Sequence, residues 1–386
     1  IKTRNFNVKK CTAKPMKLKI DFSSILGSQD ILGVDLGSYS IKIVQLKGGP
    51  GKWNLVKYAI LPLPEEAVSQ EINPTEKKDM YISTLKNYLA LEKLNTKNSA
   101  TSVSGSSVIV RYVKFPKIAK EELIKSIQFE AEPYIPFDIK EVNLGFYILG
   151  DVTEEGQKKT ETVLVAAKKD LVQSKIDILQ DAGLNAVIID VDAYSLESCY
   201  EINKDPEINE LAIITNIGAN VTNVTIIENG ISRVVRDIFI GGQTFNKALQ
   251  KNLNCDYKTA EKLKRQFGLL VSVEEKETAL KEGNKDALQI SNIFMAIARD
   301  LLSEIHRSID FFYSQRGEQQ VINKIYLSGG SAHIKNLTTY FNQEFKIQTE
   351  IFNPFSKISS IAPPAEEEAA SLTVAVGLAS RRLKEQ

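Results

Sequence analysis

The sequence predicts an α/β protein that carries two copies of a strand, glycine turn, strand unit, with a small α+β unit between them. Three observations predict it. Residues 31–46, ILGVDLGSYSIKIVQL, read as two strands joined at Gly37. Residues 211–242, LAIITNIGANVTNVTIIENGISRVVRDIFIGG, repeat that pattern about 181 positions later. Between the copies, residues 107–183 run strand, helix, strand, strand, helix.

Taken in order, the first strands alternate at Ile41 and Ile43, then Val44 to Leu46, and the GGPG turn at 48–51 leads into WNLVKYAI, a hairpin meander. Residues 76–94 place Met80, Ile82, Leu85, Tyr88, Leu89 and Leu91 at the mixed spacing of an amphipathic helix. ATSVSGSSVIVRYVKFP returns to strand with a break at Gly105 and an end at Pro116. In IAKEELIKSIQFEAEPYIPF, Leu123, Ile127 and Ala131 share one helical face, and Pro133 and Pro136 stop the helix. NLGFYIL and TETVLVAA are strands joined by the charged turn DVTEEGQKK. KDLVQSKIDILQDAGL is a helix stopped at Gly183, and NAVIIDVDAYSLESCYEI begins as a buried strand and becomes helical. After Gly242 come helices at TFNKALQKNL, at YKTAEKLKRQF and over 288–316, the last with a stripe of Ile293, Ile297, Leu301, Ile305, Ile309 and Phe312. KIYLSGGSAHIKNL reads as strand, double glycine, helix, and a final helix over 365–383 follows Pro363 and Pro364.

At 386 residues the chain holds two to four domains' worth of core. Its 49 basic and 48 acidic residues leave a net charge of +1, so a broadly basic surface is absent and no nucleic-acid partner is expected. Cys11, Cys199 and Cys255 share no ligand spacing with each other or with His306 and His333, which points to a reducing compartment without structural zinc. SLTVAVGLAS at 371–380 has about half the ~20 residues that cross a bilayer, so no transmembrane segment is expected. Residues 1–29 read as a flexible extension, cationic over IKTRNFNVKKCTAKP, with Met16 as the expected natural start.

The glycine turns carry the chemistry. A phosphate needs converging backbone N–H groups, and glycine allows both the dihedrals and the close approach. In DLGSYS these donors run from Gly37 to Ser40, with hydroxyls at Ser38 and Ser40 and a point charge at Lys42. Asp35 makes sense beside a phosphate if a magnesium ion lies between them through water. A lone D-x-G hairpin is also ordinary turn chemistry, as is the double glycine at Gly329, Gly330 and Ser331. Neither a Ser/His/Asp order nor a G-x-x-x-x-G-K-[ST] loop is present.

The order of these features resembles the actin, sugar kinase and heat-shock chaperone superfamily, in which two halves clasp ATP between paired phosphate hairpins. Within it the chain is similar to the PilM family of type IV pilus assembly proteins, themselves similar to FtsA. The stretches that carry the resemblance are GVDLGSYSIKIVQL, YVKFPKIAKEELIKSIQFEAEPYIPFDIKEV, VIIDVDAYSL, GGQTFNKALQ, AEKLKRQFG, EIHRSIDFFYSQ and IYLSGGSAHIKNL, spanning about residues 31–380. The resemblance implies an actin-like two-half α/β fold with an inserted SHS2-like subdomain. It divides the chain at 30–106, 107–183 (the insertion), 184–207, 208–244, 245–320, 321–360 and 361–386, the last a helix on the first half.

By that resemblance Asp35, Gly37, Ser38, Ser40 and Lys42 form the first phosphate loop, with Asp35 toward Mg²⁺. Asn216, Gly218, Ala219 and Asn220 belong to the second, and Gly329, Gly330 and Ser331 match the adenosine motif. Glu261 and Lys264 fall where such proteins meet ribose and base, or else form a solvated helix pair. Asp192, beside Asp190 in the segment joining the halves, is the candidate to orient an attacking water; as a plain reading it is a first-turn helix carboxylate. The second hairpin departs from the usual D-I-G-A: Asn216 brings no charge for Mg²⁺ and no base, so ATP binding is expected with at most slow hydrolysis.

The resemblance further implies a cytoplasmic protein held peripherally at the inner membrane. Its expected partner is the N-terminal tail of a bitopic PilN-like protein, together with other platform proteins and motor ATPases. The tail groove would involve VIVRYVKFP and EAEPYIPF, where Tyr134, Ile135 and Phe137 offer apolar contacts or simply pack the subdomain core. A type II secretion L protein would continue into a transmembrane helix, and an FtsA-like protein would end in an amphipathic membrane helix; neither feature is visible before RRLKEQ.

Overall fold

The computed structural model describes residues 30–69, 72–92, 94, 96–118, 120–154, 156–205, 210–315 and 321–382. The expectations for residues 1–29, Met16 and Cys11 among them, lie outside these.

β1 (Leu32–Leu36), β2 (Ser40–Gly49) and β3 (Lys52–Pro62) form the expected meander. Both faces are buried: Ile41 and Ile43 point into one core and Val44 and Leu46 into another, as period-two side chains must. α1 (Glu65–Ser69) and α2 (Pro74–Leu91) follow, with Asn73 accepting the Thr75 N–H at 2.9 Å as N-cap. The buried side of α2 is Tyr81 and Leu85. Leu91, counted on the apolar face, is 84 % exposed, because its offset from Leu85 places it on another side of the helix. β4 (Asn98–Val103) pairs in parallel with β1.

The insertion consists of β5 (Val108–Pro116), α3 (Lys120–Ala131), β6 (Val142–Glu154) and β7 (Gln157–Lys168), with the strands in the order β5-β7-β6. Leu123, Ile127 and Ala131 are buried against Val113, Phe115 and Leu164, the face their spacing specified. DVTEEGQKK is mostly strand, not turn. Its charges pair across the sheet, Glu154 with Lys159 at 2.7 Å and Lys114 at 2.5 Å, which carries the ladder out to a turn at Gly156 (φ +77°).

α4 (Lys169–Asp181) leads to β8 (Asn185–Val191) and α5 (Asp192–Asn203). Ile178 and Leu179 of α4 pack with Leu32, Val34 and Leu85, on the first half's sheet. The small sheet's own core ends with β7, ahead of the boundary at 183 drawn from the sequence.

The second half runs β9 (Leu211–Ile217), β10 (Thr222–Glu228), β11 (Ile231–Ile238), α6 (Gly242–Leu253), α7 (Tyr257–Gln266), α8 (Val273–Lys281), α9 (Lys285–Ser314), β12 (Lys324–Ser328), a 3-10 turn at Gly330–His333, α10 (Leu337–Phe345) and β13 (Thr349–Ile351). α8 opens on a capping box, Ser272 with Glu275, that lies between the two helices the spacing specifies. Ile297, Leu301, Ile305, Ile309 and Phe312 of α9 pack on the sheet β11-β10-β9-β12-β13. The chain then returns to the first half through β14 (Ile358–Ser359), α11 (Glu366–Ala369) and α12 (Thr373–Ala379). The expected final helix is thus split, with a 3-10 turn over Ala370–Leu372.

β14 completes a six-stranded sheet, β14-β3-β2-β1-β4-β8. Between the two large sheets lies a shared core of Val44, Trp53, Leu196 and Tyr200 from one side, Ile214, Ile227, Tyr326 and Phe352 from the other, and Val376 and Leu378 of α12. Helices cover the outer faces, α2 and α4 on one sheet and α9 and α10 on the other. Both sheets therefore read as near-continuous apolar runs, as strands buried on two faces do.

Candidate functional site

The two hairpins are built alike. Leu36↔Ile41 closes the first and Ile217↔Thr222 the second, over loops of equal length, Gly37–Ser40 and Gly218–Val221. One cross-strand position inside each turn sits a polar pair: Asp35↔Lys42 in the first half, Asn216↔Asn223 in the second. The first is an ion pair with Lys42 Nζ 3.2 Å from Asp35 Oδ2, both side chains largely buried. In the second, Asn216 Nδ2 donates to Asn223 Oδ1 at 2.9 Å. Asn216 is thus half of a matched amide pair, and the departure at 216 is balanced at 223.

Both turns open on one cleft of about 840 Å³ between the halves, within the size range of ligand pockets. Its lining includes Asp35, Gly37, Ser38, Ser40 and Lys42 from the first turn and Asn216, Gly218, Ala219 and Asn220 from the second. It also includes Glu261, Lys264, Gly329, Gly330, Ser331 and Asp192, so the residues that the resemblance assigns to nucleotide and water all border this one space.

At three of the turn glycines an added side chain would crowd its neighbours. A Cβ at Gly37 would lie 2.8 Å from Lys42 Nζ, and one at Gly218 would lie 2.8 Å from the Val221 carbonyl oxygen. Gly329 adopts φ +84°, and a Cβ there would meet Asn216 Oδ1 at 2.8 Å. A Cβ on Gly330 would meet nothing within 4 Å, which leaves the cleft side of that turn open to a flat or anionic group. Ser331 faces the other way, its hydroxyl donating to the Gly218 carbonyl at 3.1 Å and tying the double-glycine turn to the second hairpin.

α7 supplies a charged corner. Glu261 accepts from Lys264 at 2.6 Å, Asn246 at 2.7 Å and Arg265 at 2.9 Å. Burial pushes its carboxyl up, but Lys264 and these hydrogen bonds outweigh it and hold it below the usual range. Burial draws the Lys264 ammonium down, with Glu261 opposing. Arg265 Nη2 also donates to the Tyr39 hydroxyl at 3.1 Å, across the cleft mouth to the tip of the first hairpin.

Asp190 and Asp192 separate in role. Asp190 is buried and held by Arg381, Nη2 at 2.5 Å and Nε at 2.7 Å. Asp192, the first residue of α5, faces the cleft and accepts the Ser102 hydroxyl at 2.5 Å. Burial, then the Asp35 charge, raises its carboxyl to about 6, a value near that wanted of a general base.

Several lining residues were not found by reading the sequence. Asn223 was legible, since the repeat offset maps it onto Lys42. Lys175 was not: KDLVQSKIDILQ reads as an ordinary helix face, and only the packing of α4 brings Lys175 Nζ to the Leu36 carbonyl at 2.9 Å. Ser102, Ser104 and His333 also line the cleft. His306 does not; its ring lies 4.4 Å from that of Phe345.

On the insertion, Ile135 is buried in the small core with Phe137 packed against it, whereas Tyr134 is 42 % exposed and stands edge-on to Phe115 at 6.2 Å. No helix among the described residues is long and apolar enough to cross a membrane.

A family model described as type IV pilus assembly protein PilM matches residues 33–383. Among solved structures, a PilM-PilN type IV pilus biogenesis complex is similar with a TM-score of 0.74 and 24% identity, covering 91% of this chain and 97% of that one. MreB5 of Spiroplasma citri, bound to AMPPNP, is similar in fold with a TM-score of 0.50 and 13% identity, covering 90% of this chain and 94% of its own.

Proposed function

The chain belongs to the type IV pilus assembly protein PilM family, and on that premise we propose that it is a nucleotide-binding scaffold of the pilus inner-membrane platform. It holds ATP between its two halves and grips the N-terminal tail of a PilN-like membrane protein. The observation that carries the nucleotide half is the meeting of two matched hairpins and a double-glycine turn around one cleft. Backbone donors of both turns cradle phosphates, Lys42 meets their charge, and the Glu261–Lys264 corner faces ribose and base.

Hydrolysis, where it occurs, is slow. Asp192 takes a proton from water, with no second carboxylate at 216 to assist it. The Mg²⁺ expected at Asp35 fits poorly, because that carboxylate is already paired with Lys42. Among the described residues no group of three or more His, Cys, Asp and Glu is placed to hold a metal.

The tail docks on the insertion, where Tyr134 remains exposed while Ile135 serves the core. Through that partner, and through contacts with other platform proteins and motor ATPases, the protein is held at the cytoplasmic side of the inner membrane. Isothermal titration with ADP and ATP tests the nucleotide reading. Lys42→Ala is expected to weaken binding at least about tenfold, the ~1.4 kcal/mol of a lost charge-assisted contact; unchanged affinity sinks the assignment.

A further inference from the structure

Lys175 is the cation that no sequence motif announced. It extends from α4 into the cleft wall and donates to the carbonyl of Leu36, the residue between Asp35 and Gly37. Around it the fixed charges are Asp35 and Asp192, which favour its ammonium, and Lys42 and Lys77, which oppose it. Burial is the larger effect and lowers its proton affinity. Lys175 makes no salt bridge among the described residues, and an anion arriving beside it would favour the ammonium form and reverse that shift.

The charge balance of the two turns gives that ammonium a purpose. The first turn's carboxylate is neutralised internally by Lys42 at 3.2 Å. The second turn has replaced both partners by amides, Asn216 and Asn223. Asp192 is engaged by Ser102. Neither turn therefore presents an uncommitted carboxylate to anchor a hydrated divalent ion, yet the phosphates of a nucleotide still need positive charge.

We propose that Lys175 is a phosphate-neutralising residue that acts with Lys42 in place of a cleft-held divalent cation, so that nucleoside di- and triphosphates bind this protein without metal. The proposal rests on the nucleotide reading above and specifies how that site handles charge.

The test is titration of the full chain with ADP and ATP, in excess EDTA and in excess Mg²⁺, for the wild type, Lys175→Met and Lys175→Arg. Wild-type affinity is expected to differ by less than about threefold between the two buffers. Lys175→Met should weaken binding in EDTA by about tenfold or more and recover much of it in Mg²⁺, while Lys175→Arg stays near the wild type. Wild-type binding that collapses in EDTA but persists in Mg²⁺ overturns the proposal and leaves the nucleotide reading standing. So does a folded Lys175→Met variant that binds like the wild type in EDTA. No wild-type binding in either buffer overturns both. Thermal melts of the unliganded variants separate lost folding from lost binding, and Lys175→Gln, held to the same expected loss in EDTA, carries the test if Lys175→Met does not fold.

Discussion

Asp192 carries a stability cost at the cleft. Burial and the Asp35 charge lift its carboxyl to about 6 from the ordinary value of 3.8. The folded chain binds more protons than the unfolded chain across that interval, so stability is greatest below it, falls as pH rises through it, and stays reduced above about 6. Asp192→Asn, which keeps an acceptor for Ser102, is therefore expected to raise stability at pH 7 by about 2–3 kcal/mol and to gain little at pH 4. Urea unfolding at the two pH values measures this, and an equal gain at both refutes the assignment. At this scale the sequence was readable where backbone chemistry dictates residue type, as at Gly37, Gly218 and Gly329. It was silent where long side chains reach across the fold, as with Lys175 on Leu36 and Arg381 on Asp190.

The second hairpin and its neighbours are joined by a line of side chains. Ser328 donates to Asn216 at 3.3 Å, Asn216 to Asn223 at 2.9 Å, and Asn223 to Asp237 of β11 at 2.8 Å. Asp237 then accepts the Gly105 N–H at 2.5 Å, in the segment that leads from β4 into the insertion. The carboxylate missing at 216 thus has a counterpart two strands further on, where it fastens one half to the other. Asp237→Ala strands the Gly105 N–H and the Asn223 amide together, and a loss of about 1–3 kcal/mol in chemical denaturation is expected; a change within about 0.5 kcal/mol, the range of a bland surface substitution, contradicts the coupling. Elements with one dominant periodicity, such as α3 and α9, were legible from spacing alone. The extended β6–β7 ladder was not, because cross-strand ion pairs turn what reads as a charged loop into strand.

The whole molecule is held by a core that belongs to neither half alone, with α12 at its centre. Two glycines make the fit possible: a Cβ on Gly33 would overlap the Ala375 carbonyl, and one on Gly377 would overlap the Ser195 carbonyl. Gly377→Val is expected to cost about 3 kcal/mol or more, read as a lowered urea midpoint; a midpoint unchanged from wild type argues against this packing. α12 lies against β1, and Arg381 is locked to Asp190 and to the Tyr194 carbonyl, so residues at 373–381 cover the face of a sheet begun at residue 32. Synthesis runs in the other sense. On the ribosome the first sheet must wait, its inner face met only by α5, until all of residues 211–359 have been made, and the second half has its own strands and helices in hand before the first is closed. The nascent chain is therefore most exposed to misassembly in the half that emerges first, and its closure is a late event in translation.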